Sequence, residues 1–458
     1  MSIAPRSLLA PARHLSRAEC EAIARRALSF ATADETRVLI NSGVTGNTRF
    51  AGNQVSTGGD NYNASITVRS AVGKRSAVSS TNRLDDESLR AVVQTAERLA
   101  RLAPEDPEAM PELGQQQYQE TLGWSESTGA LDPAGRAAAV RRITEPSKAG
   151  GLTSTGYLES QAGSFAIANS KGLFAYSRQT AAAMTTTVRT PDGTGSGWAG
   201  ASSHDWSRID PAELGARAID KARRSVNPVA IEPGRYTVVL EPTAVANLVQ
   251  LIAFSIGARN ADEGRSFFSK QGGGNKIGMK VVDERVTITS DPLDPDTYGN
   301  TFTGEGLPTQ KTTWIENGVV KNLAYDRYWA SQKGVQPVPF GGGLKMSGGA
   351  ASIDDMIAST DRGLLVTRFW YIRPVDPRTI LFTGLTRDGT FLIEKGKITR
   401  AVKNLRYNES PIFMLNNLEA MGRPVRVSAS EDGSPGLPIV VPPLKVRDFT
   451  FTSLSDAV

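Results

Sequence analysis

The chain has 458 residues, 39% hydrophobic and 22% charged, with 44 glycines and a formal net charge of +5. At about 150 residues per domain this allows two or three domains with cores of their own, and the glycine content favours a turn-rich fold with many strands. No apolar run approaches the roughly 18 residues of a membrane span, the Lys and Arg residues are interleaved with acids rather than gathered into the stripe that nucleic acid requires, and the single cysteine, Cys20, forbids an internal disulfide.

The apolar patch Leu8-Leu9-Ala10 is too short for a signal-peptide core, so a cytoplasmic protein is expected. Ser16 with Glu19 reads as a capping box opening a helix to Phe30, with Cys20, Ile23, Ala27 and Phe30 on one face. On that face Cys20 is core packing rather than chemistry. Strand-like pieces at 37–40 and 64–68 follow, between Gly- and Asn-rich turns. A second helix is expected from Asp86 to Leu102, with Leu89, Val92, Val93, Ala96, Leu99 and Ala100 buried. Residues 103–117, rich in Pro, Glu and Gln, read as an exposed connection.

Asp132-Pro133 combines a cap with a first-turn proline and so starts a third helix. Residues 151–161 and 164–188 read as antiparallel strands joined by turns such as 169–172. A helix spans 210–225, and the Pro-containing run 226–234 reads as a linker. The division falls there: an N-terminal α+β domain over 1–229, with a mixed sheet and flanking helices, and a mostly antiparallel β-rich domain over 230–458 with one buried helix. In the second half Tyr236–Leu240 is a strand. Pro242 starts a helix through about Ala258 that is apolar nearly all round and therefore buried. Two related segments, Trp314–Leu323 and Leu392–Ala401, each place apolar pairs around an Asn-Gly or Lys-Gly turn and read as hairpins.

Chemistry is sparse. His14 and His204 lie far apart and outside any metal-binding frame, so a His-based zinc site is not expected. Asp291, Asp294 and Asp296 sit among prolines and read as a turn rather than an oxygen-ligand loop. His204-Asp205 beside Ser202 and Ser203 reads as a polar turn, since triads assemble from distant parts of a chain. The runs at 272–274 and 341–343 lack the Lys-Ser/Thr of a phosphate loop and read as mobile loops or places of close backbone approach. The richest polar stretch holds Arg373, Arg387, Asp388, Arg406, Asn408 and Glu409 among aromatic and aliphatic residues. It admits two readings, an internal ion-pair network or a peptide-binding face whose arginines grip carboxylates.

The order of segments in the second half is specific: 234–242, an apolar helix, hairpins with Glu-Asn/Lys-Gly turns, then Thr386-Arg-Asp-Gly389 and Arg406-Tyr-Asn-Glu-Ser410. It resembles the TldD/PmbA (TldE) peptidase family, and the first half agrees more weakly, as at 168–172. Active members of that family resemble one another in a helix carrying His-Glu-x-x-x-His and in a late cysteine. Two imidazoles bind zinc there, and the glutamate acts as base for its water. Laid on this sequence, the first His falls at Ala253, the Glu at Phe254, the second His at Ala258 and the cysteine at Ser428. The resemblance therefore implies a zinc-less, TldE/PmbA-like subunit. It implies no cofactor in this chain, zinc in a TldD-like partner, and a heterodimeric metalloprotease acting on peptides, including leader peptides or small unfolded proteins. A stand-alone peptide-binding or scaffold homodimer, and an enzyme with a non-zinc mechanism around Arg387-Asp388, remain as alternatives.

Overall fold

The computed structural model describes residues 13–455, so Leu8-Leu9-Ala10 lies outside the described residues. Helix α1 (Arg17–Ser29) opens on the expected capping box: the Ser16 and Glu19 side chains and backbones bond reciprocally. It buries Cys20, Ile23 and Ala27, while Phe30 caps its end, half-buried.

Strands β1 (Glu35–Ala51) and β2 (Gln54–Val72) are far longer than the short pieces expected, because, of the Gly- and Asn-rich stretches between 41 and 63, only Gly52-Asn53 is a turn and the rest is strand. Gly43 pairs with Gly163, and a Cβ at position 43 would stand 2.8 Å from the Ala162 carbonyl oxygen. Glycine here serves the close approach of two strands rather than a reversal. Strands β3 (Arg75–Thr81), β4 (Thr153–Asn169), β5 (Phe174–Arg189) and β6 (Ser196–Ser203) complete a six-stranded sheet in the order β3-β2-β1-β4-β5-β6. Its pairings are antiparallel throughout, not mixed.

One face of this sheet carries four helices. Helices α1 and α2 (Asp86–Leu102) pack on Val38, Ile40, Ile66, Val68, Ala166 and Ala168. Beyond the short α3 (Glu126–Gly129), helices α4 (Pro133–Ala149) and α5 (Pro211–Arg224) cover Phe50, Leu158, Met184 and Ala199. Leu99 is the one departure in the expected stripe of α2, at 42% exposed. The connection 103–117 is exposed only in part. Glu112 is buried against Arg69 at 3.1 Å, and the segment lies on the other face of the sheet, where Leu113 and Tyr118 pack with Phe302.

All strands after residue 233 belong to two further sheets, one of six strands and one of nine. Both are mostly antiparallel, with parallel pairings between β7 (Gly234–Leu240) and the strand at 362–366, and between 344–345 and 439–440. The two expected hairpins form, each on a two-residue turn with both residues at positive φ: Asn317-Gly318 (49°, 79°) and Lys395-Gly396 (51°, 74°). That geometry matches the right-handed twist of the strands it joins. No helix is long and apolar enough to cross a membrane among the described residues.

Candidate functional site at the end of the buried helix

Helix α6 (Pro242–Ala253) starts on a first-turn proline and buries Thr243 through Val249, Leu251 and Ile252. Its all-round apolarity has a simple cause. It lies between the two C-terminal sheets, touching 425–427 and 439–441 on one side and β7 and the strand Phe369–Asp376 on the other. The helix ends at Ala253, not near Ala258. Phe254 caps it, and the chain at 256–258 leaves helical geometry to bridge Ala324, with Ala324 N–H on Ile256 O and Ala258 N–H on Ala324 O, both at 2.9 Å. Ala258 then opens a separate five-residue helix, α7 (Ala258–Asp262). A tertiary β-bridge thus replaces the helical hydrogen bonds that the apolar pattern alone would continue.

The positions aligned with a zinc motif are therefore split. Ala253 ends α6, Phe254 is 73% exposed, and Ala258 is buried on another helix. Ser428 is buried, and its Oγ has no hydrogen-bond partner among the described residues. The neighbouring Ala429 carbonyl accepts from Asn247 Nδ2 on α6 at 3.0 Å. Two methyl groups, a phenyl ring and one hydroxyl do not make a zinc donor set. Among the described residues no group of three or more His, Cys, Asp or Glu side chains is arranged to hold a metal ion.

Asn247 joins this site together. Its Oδ1 accepts the Phe369 N–H at 3.1 Å while its Nδ2 holds Ala429, so one buried amide ties α6 to the strand 369–376 and to the loop after Val427. Sequence reasoning passed over it. The available signal was a polar amide in the middle of a mostly apolar helix, with Gln250 one turn further on.

The strand Phe369–Asp376 is the edge of the nine-stranded sheet. Arg373 pairs with Thr383, which pairs with Asn408, so the three share one face across three strands. Arg406, two residues from Asn408, reaches the same Thr383 hydroxyl at 3.3 Å. Arg387 stacks over Trp370 and Arg373 over Tyr371, each at 4.2 Å. Glu409 alternates to the opposite face and is buried, accepting the Ser410 and Thr450 N–H groups, and burial pushes its carboxyl above the usual range. Asp388 is buried too, 3.5 Å from Arg368, 3.7 Å from Arg387 and 2.6 Å from Ser196 Oγ of the N-terminal sheet. Of the six polar residues singled out, Arg373, Arg406 and Asn408 form a surface, Arg387 lies beside it, and Asp388 and Glu409 belong to the interior.

The other polar clusters are structural. His204 stacks edge-on against Tyr298, and Asp205 accepts from Ser125, Ser127 and Ser207 rather than orienting the imidazole. Asp294 pairs with Lys345 and Asp296 with Arg208. The 272–274 glycines all take positive φ in open space, whereas Gly343 would press a Cβ at 2.8 Å on the Pro438 carbonyl carbon, so only the second run is a close backbone approach.

An antiparallel sheet under four helices is followed by two sheets around one buried helix, the helix that the family resemblance aligns with a zinc motif. Here the position where such a helix would carry metal ligands holds none. The chain matches the PmbA/TldA metallopeptidase domain 1 over residues 37–100, the central domain over 126–226 and the C-terminal domain over 233–453. It belongs to the PmbA/TldD metallopeptidase family. It is similar in fold to TldE from Thermococcus kodakarensis, with a TM-score of 0.81 at 18% identity over 94% of this chain and 99% of that one. It is 24% identical over 263 residues to a metalloprotease of Methanothermobacter thermautotrophicus, and 27% identical over 197 residues to a TldD homologue of Buchnera aphidicola. The matched segments span 55% and 40% of those two relatives.

Proposed function

We propose that this chain is the zinc-free subunit of a two-subunit, cytoplasmic metalloprotease that degrades or trims peptides, with zinc carried by a TldD-like partner. The observation that carries this reading is the end of α6. The four positions aligned with metal-binding residues hold Ala253, Phe254, Ala258 and Ser428, and a β-bridge at 256–258 interrupts the helix between them. The chain's own contribution is then to bind and orient peptide. The face of Arg373, Arg406 and Asn408 lies beside an edge strand to which an extended peptide can add. The alternative mechanism around Arg387 and Asp388 finds no support, because Asp388 is buried and engaged by Arg368 and Ser196.

Two measurements test the reading. The purified chain is expected to hold far less than one zinc per molecule and to cleave no peptide. Co-expressed with a homologue bearing His-Glu-x-x-x-His, it is expected to co-purify as a complex that does. Stoichiometric zinc with peptide cleavage by the isolated chain would overturn it.

A further inference from the structure

The outer side of the edge strand Phe369–Asp376 has no strand paired to it among the described residues. The strand bulges between Trp370 and Arg373, and Tyr371 sits in the left-handed region at φ 56°, an uncommon place for a bulky residue. In this bulge the Ile372 N–H donates not to a strand carbonyl but to Glu431 Oε1, at 2.7 Å. The other oxygen, Oε2, lies 3.7 Å from Arg373 Nη1. Arg373 is itself held in place, donating to Ile372 O at 2.8 Å and stacked on Tyr371.

One carboxylate is thus gripped by a backbone amide and a guanidinium, the pair of groups by which proteins take up the carboxylate of a bound peptide. Next to it stands an aromatic ring, Tyr371, 46% exposed. The surrounding charge favours an anion. Arg373 pairs with Glu431, and the buried Arg368 guanidinium, itself 3.5 Å from Asp388, also acts on it from nearby. Withdrawal needs little. The turn that carries Glu431 is pinned on one side by Asn247 and Gln250 on the Ala429 carbonyl, and on the other by Asp432 accepting from Ser430 and Ser434. The Glu431 side chain between these anchors is 29% exposed and can rotate out while the backbone stays.

We propose that the Ile372 N–H and Arg373 form a subsite for the free carboxylate of a peptide, and that Glu431 fills this subsite in the unliganded chain as a built-in competitor. This rests on the peptide-binding role proposed above and specifies its ligand: an extended peptide bearing a carboxylate, its last apolar side chain set against Tyr371.

The test uses the purified full-length chain and three fluorescently labelled probes: labelled Ala-Ala-Leu with a free C-terminus, the same peptide as its C-terminal amide, and labelled Ala-Asp-Leu amide. Glu431→Ala is expected to raise affinity for the free acid by about ten-fold, the scale of one charge-assisted pair released from competition, without a gain for the Ala-Ala-Leu amide. Glu431→Gln, which keeps an acceptor for the Ile372 N–H but loses the charge, falls between. Adding Arg373→Gln to Glu431→Ala abolishes the gain. A matching gain for Ala-Asp-Leu amide would support the subsite and assign it to side-chain carboxylates. Equal gains for the acid and amide forms of Ala-Ala-Leu, a gain that survives Arg373→Gln, or no binding of any probe to Glu431→Ala would each overturn the proposal. Zinc content and co-purification with a zinc-bearing homologue are read separately, so the subunit reading can survive that failure or fall without it.

Discussion

Single residues with short-range partners behave here as local chemistry dictates. Ser16 and Glu19 cap α1 through contacts three residues apart, and Arg13 adds a charged hydrogen bond. Bonds from Arg13 and Ser16 hold the Glu19 carboxyl at about 2. A lowered carboxyl pKa stabilises the folded form above the unfolded value and ceases to do so as pH falls through the folded one. The amide protection that wild type gains over Glu19→Gln in the first turn of α1, measured by hydrogen exchange, is expected to shrink as pH drops from 4.5 to about 2. Cys20 shows the opposite kind of perturbation: burial pushes its thiol up to about 11. It is expected to resist disulfide reagents in the native protein at neutral pH and to react promptly in denaturant. Asn247 differs from both because its partners lie more than a hundred residues away. Asn247→Ala strands a buried N–H and a buried carbonyl, so a loss of about 2–4 kcal/mol is expected in urea unfolding.

At the scale of elements, the helix α6 was legible as a buried apolar segment, but its end was not. Leu248, Val249, Leu251 and Ile252 continue in type through Phe254 and Ile256, and nothing in the pattern marks a stop before Gly257. The stop comes from Ala324, whose backbone captures 256 and 258. This has a direct consequence for engineering. Installing donors as Ala253→His, Phe254→Glu, Ala258→His and Ser428→Cys is expected to leave zinc content well below one per chain, because positions 253 and 258 sit on separate helices. Full occupancy by metal analysis would show that the break at 254–257 re-forms as helix. The hairpin turns were legible because a two-residue loop with both φ positive favours Asn-Gly and Lys-Gly. At Gly396 an added Cβ would also meet the Ala358 carbonyl at 2.6 Å, so Gly396→Ala is expected to cost about 1–3 kcal/mol in thermal or urea unfolding.

Across the whole molecule, the N-terminal sheet and the C-terminal sheets are joined by buried polar contacts. Lys221 on α5 meets Glu241, the residue before α6, at 2.7 Å, in a setting where burial pulls the lysine's pKa down. Arg426 donates to the Ser202 carbonyl of β6 and to Asp296 O, and Arg368 stacks over Trp198. Removing one member of a buried pair leaves the other charge uncompensated, so Lys221→Met is expected to cost about 3–5 kcal/mol. Replacing both, as Lys221→Met with Glu241→Gln, is expected to recover most of it; calorimetry of the single and double variants checks this.

By itself, the order of residues determined what depends on neighbours close in the chain: the caps and extents of α1, α2 and α5, the start of α4, the two hairpin turns, and the absence of donor side chains at 253, 254, 258 and 428. It also determined family membership, since the order of segments over 234–410 survives as a pattern. Tertiary structure alone decided what depends on partners distant in the chain. The glycines of β1 and β4 became strand because two backbones needed to approach. α6 stopped where Ala324 bridged it. Strand alternation and sheet order set Arg373, Arg406 and Asn408 on a surface and Glu409 inside, and the contacts with Ser196 and Arg368 hold Asp388, in a turn, in the interior. Glu431, which no local pattern marks, came to occupy the edge of a strand 59 residues away in sequence, at the 2.7 Å of one hydrogen bond to Ile372 N–H. Short-range energetics are written in adjacent residues, whereas the pairing of remote groups is settled only when the chain has closed on itself.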